Sequence, residues 1–92
     1  MEKRIYKYEI HRAGTQVSRL PYDAEILSVG AQGNSLVLWA LVDPLEQLTE
    51  DRVLTVLGTG HSAFEPLGLF IGTVQFTEPG PCQGLVFHVF EG

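Results

Sequence analysis

The chain has 92 residues, with six Lys and Arg against eleven Asp and Glu, a net charge of −5, 45% hydrophobic residues and 18% charged residues. One domain, residues 1–92, accounts for this length, and a domain of that size removes roughly 60 to 65% of its unfolded surface from water, enough to fold without metal or disulfide staples. The acidic balance argues against direct binding to nucleic-acid phosphates, because that requires Lys and Arg to displace condensed counterions.

Residues 3 to 10 alternate Tyr6, Tyr8 and Ile10 against Lys7 and Glu9, the pattern of a half-buried strand with its aromatic face inward. Four of the six basic residues, Lys3, Arg4, Lys7 and Arg12, fall in or beside this segment, where they read as charges protecting a strand edge. Gly14 ends it, and a short segment through Val17 leads to Leu20-Pro21. Ile26 to Val29 forms the next strand and meets Leu36 to Val42 through Gln32-Gly33-Asn34-Ser35, whose Gly and Asn suit a tight hairpin. The run Leu36 to Asp43 is apolar at both parities and ends at Pro44, so it is expected to be buried on both faces with Trp39 in the core. Leu45 to Asp51 is the one helical expectation, a turn or two long.

Val53 to Leu57 returns as a strand rich in β-branched residues and is broken by Gly58 to Ser62. Leu69 to Phe76 and Leu85 to Phe90 follow as strands, separated by the turn at Glu78-Pro79-Gly80-Pro81. The chain therefore reads as all-β: a compact antiparallel sandwich or partly open barrel of five to six strands, with at most one short helix.

Gly58-Thr59-Gly60-His61-Ser62 is the best candidate site. A glycine-rich turn can aim consecutive amides at an anion, and the Thr59 and Ser62 hydroxyls add donors. Basic groups are expected to assist if the fold brings Arg52 or the first strand to the loop, and the candidate binding residues are Thr59, Gly60, His61, Ser62 and Arg52. The loop lacks the lysine and second-glycine spacing of a nucleotide P-loop. Ser62 beside His61 makes a poor dyad, because adjacent residues of an extended chain face opposite ways. His61 and His88 would need Asp43 or Cys82 to complete a metal site, and His88 reads better as a half-buried strand histidine with a hydrogen-bond partner. No catalytic residue, metal or cofactor is expected.

The single Cys82 excludes an intramolecular disulfide and points to a reducing compartment. No segment nears the ~20 consecutive apolar residues of a membrane span, and Met1-Glu2-Lys3-Arg4 lacks a signal-peptide core, so a cytoplasmic protein is expected. The charged fraction lies below the usual ~25%, which predicts apolar surface reserved for a partner or for homo-oligomer formation.

Lys7-Tyr8, Pro21 with Ala24 to Val29, Leu38 to Asp43, Gly58 to His61, Phe70 to Thr73 and Phe87 to Glu91 resemble, in this order, a family of short proteins of tailed phages and prophages built on a domain of unknown function. The resemblance implies an intracellular role in the host cytoplasm and carries no catalytic residues. Small phage proteins of this kind act by binding, which makes a counter-defence function the first expectation: inhibition of a host defence complex such as CRISPR, or sequestration of a cyclic nucleotide signal. The alternative is a structural or morphogenetic phage component that assembles through its apolar surface.

Overall fold

A computed structural model describes all residues, Met1–Gly92, and contains seven strands and no helix. The strands are β1 (Arg4–Ile10), β2 (Gly14–Pro21), β3 (Glu25–Gln32), β4 (Ser35–Val42), β5 (Thr49–Gly58), β6 (Leu69–Gln75) and β7 (Val86–Glu91). They form two antiparallel sheets, ordered β1-β4-β3 and β2-β5-β7-β6. The sheets stack face to face, and they are not closed into a barrel. With no helix in the fold, none is long and apolar enough to cross a membrane.

The core follows from period-two alternation. On β4 the even positions Leu36, Leu38, Ala40 and Val42 are buried against Leu54 and Val56 of β5 and Phe87 and Val89 of β7, within one hydrophobic cluster. Phe76 and Phe87 meet edge-on in this layer, with ring centroids 5.7 Å apart. Cys82 is buried at its margin as a free thiol that donates to the Asn34 carbonyl.

The hairpin expected at residues 32–35 is present: Gln32 pairs with Ser35, leaving Gly33 and Asn34 as the two-residue turn. Only Gly33 takes a positive φ, 59°, so the first central position alone requires glycine, the type II′ pattern. Asn34 contributes instead through its side chain, whose Oδ1 accepts from the Cys82 amide at 3.4 Å.

Three expectations are corrected. The segment near Val17 is a full strand, β2, in register with β5 from Gly14↔Val56 to Pro21↔Thr49, which brings the count to seven rather than five to six. Leu45 to Asp51 is not helical. The Asp43 carboxylate accepts from the Leu45 amide and the Glu46 carboxylate from the Leu48 amide, each at 3.0 Å, which turns the chain, and Thr49 to Asp51 pair with β2.

The third correction concerns β4, which is not buried on both faces. Its odd positions look out of the three-stranded sheet, where Val37 is 2% exposed but Trp39 and Leu41 are only half-buried. Trp39 is therefore a ring lying on the outer face over Gly30, and not a core residue. Val37 is closed over by its neighbours: Lys7 Nζ, in the row of Trp39, donates at 2.6 Å to Gln32 Oε1, in the row of Ser35, and so crosses the row between.

A methyl group placed on Gly30 would sit 2.7 Å from Trp39 Cζ3 and 2.9 Å from Cη2. Gly30→Ala is expected to push the indole off the sheet at a cost of about 1–3 kcal/mol. Because the chain has one tryptophan, the displacement reads directly as a red shift of its fluorescence, alongside a lower thermal midpoint. An unchanged emission spectrum would contradict this packing.

Candidate functional site

β5 ends at Gly58, opposite Phe87 of β7, and the chain leaves the sheet there. Two backbone bonds fix the turn: the Thr59 amide donates to the Val86 carbonyl at 3.1 Å, and the His61 amide donates to the Gly58 carbonyl at 3.0 Å. The amides of Thr59 and His61 are thus already bonded within the chain, so Gly58 to Ser62 does not present a run of free consecutive amides to an anion.

The three side chains of the turn expected to act together, those of Thr59, His61 and Ser62, are distributed around it. Gly58 has the parity of the core residues Leu54 and Val56, and a methyl on it would touch the His61 ring at 2.8 Å, so His61 folds back on the inward side of the strand end. Gly60 takes a φ of 87° that lets the turn close. Thr59 points outward, where its Oγ1 shares a 2.8 Å hydrogen bond with His88 Nε2. Ser62 lies across the loop in a shallow groove with Thr15, Thr55, Phe64 and Pro66.

His88 is half-buried in β7, and its other ring nitrogen, Nδ1, is bonded to Thr73 Oγ1 of β6 at 3.0 Å. A neutral imidazole donates from one nitrogen and accepts at the other, so the two threonine hydroxyls take opposite roles on either side of the ring. His61 and His88 sit on opposite sides of the strand end, and Cys82 and Asp43 are engaged elsewhere, with the Asn34 loop and the Leu45 amide respectively. No group of three or more His, Cys, Asp or Glu side chains is arranged so that it could hold a metal ion.

Arg52 does not reach the loop. It lies six residues earlier on the same strand, about 20 Å from Gly58 at a strand's rise per residue, and faces inward between the sheets. Its Nε donates to Glu91 Oε2, its Nη1 donates to the Ala24 carbonyl at 2.6 Å, and Glu50 lies 3.6 Å away. The hydrogen bond to Glu91 raises the guanidinium pKa above its ordinary value, against the opposing effect of burial. Arg52 thereby ties the end of β7 to the corner between β2 and β3. Sequence parity carried this signal, because Glu50, Arg52, Leu54 and Val56 share one face of β5.

The outer face of the four-stranded sheet holds residues that are not among the candidate binding residues of the sequence. Phe70 and Phe90 are cross-strand partners with ring centroids 5.4 Å apart, and Phe70 is 54% exposed. One row away lie Leu57, His88 and Thr73. Phe70, Phe90 and Leu57 thus form an aromatic and aliphatic surface with a bonded Thr59–His88–Thr73 chain set into it. A separate, mainly apolar concavity of about 410 Å³ opens at the strand end to which His61 folds back, lined by Gly58, Thr59, His61, Leu85, Val86 and the buried Phe87.

The whole chain, residues 1–92, matches the family described as a domain of unknown function (DUF7352). No curated protein and no solved structure matches it.

Replacing Arg52 by Met would leave the half-buried Glu91 carboxylate and the Ala24 carbonyl without their donor, an expected loss of about 1–3 kcal/mol. Arg19 pairs with Asp51 at 3.1 Å in full solvent contact, so Arg19→Ala is expected to stay within about 0.5 kcal/mol of the native chain. Urea unfolding of the two variants checks the ranking.

Proposed function

The chain belongs to the DUF7352 family, and from its geometry we propose that it acts by binding rather than by catalysis, with the outer face of the four-stranded sheet as its contact surface. The observation that supports this is the pair of exposed Phe70 and half-buried Phe90 beside Leu57 and the Thr59–His88–Thr73 chain. A largely apolar sheet face with a few fixed polar groups suits the centre of a protein–protein contact, where aromatic residues supply much of the binding energy.

Of the two intracellular targets expected from the sequence, a host defence protein fits this surface better than a cyclic nucleotide. A nucleotide needs donors for its phosphates, whereas the Thr59 and His61 amides are bonded internally and the chain is acidic. The resemblance to phage proteins supplies the setting: a counter-defence protein that covers part of a host complex. Assembly into a phage particle is the alternative use of the same face.

Phe70→Ser is the most direct test, since it removes an exposed ring and costs about 0.5–1.5 kcal/mol of stability from the lost aromatic pair. Phage carrying this variant are expected to lose plating efficiency on a host with active defence while forming particles normally on an undefended host. Unchanged plating on the defended host contradicts the proposal. A defect on both hosts supports the assembly reading. The combined change Thr59→Ala, His61→Ala and Ser62→Ala, made in parallel, reports whether the turn bordering the face takes part.

A further inference from the structure

The two sheets have four edges, and three of them are guarded. β1 carries Arg4, Lys7 and Glu9 among its seven residues. β3 and β6 each contain a register shift, between Ile26 and Ser28 and between Phe70 and Gly72, and they lie against each other, with Val29 Cγ2 3.1 Å from where a methyl on Gly72 would be. Charges, bulges and coverage are the usual means by which an edge is kept from pairing with another chain.

β2 has none of these protections. Its eight residues keep an unbroken register with β5, include a single charged residue, Arg19, and place their only proline at the last position. It ends its sheet, so the N–H and C=O groups on its other side have no strand partner. At its middle Val17 is 61% exposed, next to Val53 at 37% on the neighbouring strand.

We propose that β2 is a dimerisation edge, where a second copy of this chain pairs its own β2 antiparallel about a twofold axis and extends the four-stranded sheet to eight strands. The argument for a second copy is self-complementarity. A twofold pair centred on Val17 sets valine on valine, Gln16 against Ser18 and Thr15 against Arg19. One centred on Ser18 sets Arg19 against Val17. In neither register does Arg19 meet itself, so no like charges oppose one another across the new ladder. Pairing β1 with itself about its central residue, Lys7, sets two ammonium groups face to face. In the valine-centred register the dimer also joins the Val17 and Val53 side chains of both copies into one apolar strip, and in either register the isologous contact closes without leaving a second free β2 edge.

The test is the mass of the full chain by sedimentation equilibrium, beside that of Val17→Lys. The native chain is expected to sediment as a dimer and Val17→Lys as a monomer with an unchanged circular dichroism spectrum. The introduced ammonium would meet its own copy in the valine-centred register and Arg19 in the serine-centred one. A native chain that is monomeric at every concentration overturns the proposal, as does a Val17→Lys chain that remains dimeric. Should Val17→Lys not fold, hydrogen exchange on the native chain decides. Protection of the Gln16 to Arg19 amides that rises with protein concentration supports the edge, and protection independent of concentration overturns it. Phe70 lies at the far side of the sheet, so Phe70→Ser is expected to leave the dimer intact.

Discussion

Everything in this molecule is placed by the contact between one face of β4 and the facing sides of β5 and β7. Leu36, Leu38, Ala40 and Val42 present a tapering apolar row to Leu54, Val56, Phe87 and Val89, and every buried residue is hydrophobic. A sheet must bury one face to be stable, and two sheets that bury one face against each other leave two faces in water. In a chain with only 18% charged residues those outer faces cannot be covered with charge. Trp39 and Leu41 on one side, and Phe70 and Phe90 on the other, follow from that shortage.

Much of the architecture is legible in the sequence because period-two alternation and glycine or proline breaks act locally. Leu54 and Val56, or Phe87 and Val89, announce an inward face without any knowledge of their partners. β2 was harder to read, since its inward face starts with Gln16 and Ser18; Gln16 turns its amide to the His11 backbone, accepting at 2.7 Å and donating at 2.9 Å, instead of filling the core. The expected helix failed because Asp43 and Glu46 bond the amides two residues ahead of them, and the pairing of Thr49 to Asp51 with β2 is a long-range contact that no local pattern reveals.

The site was legible in part. The turn at Gly58 to Ser62 does end a strand, and His88 does have hydrogen-bond partners, as its setting between Phe87 and Val89 suggested. A continuous apolar run hid the fact that Trp39 faces outward, because burial on both faces and burial on one face with an apolar exterior look alike in sequence. Arg52 was drawn to the loop by its charge alone. Its parity with Leu54 placed it between the sheets, where a cation persists only with partners such as Glu91 and the Ala24 carbonyl. The aromatic face depends on the pairing of Phe70 in β6 with Phe90 in β7, a register that no local pattern reveals.

β4 is the centre of the buried layer, and the edge strands β1 and β2 contribute one buried residue each to it, Ile10 and Leu20. Residue-resolved amide hydrogen exchange measures this directly. The slowest amides are expected in β4, β5 and β7, exchanging only through global unfolding and yielding the same free energy as denaturant titration, while the free-side amides of β1 exchange by local opening. If β4 amides exchanged as fast as those free-side amides of β1, the two-sheet core would be wrong, and with it the outer faces from which the binding role is argued.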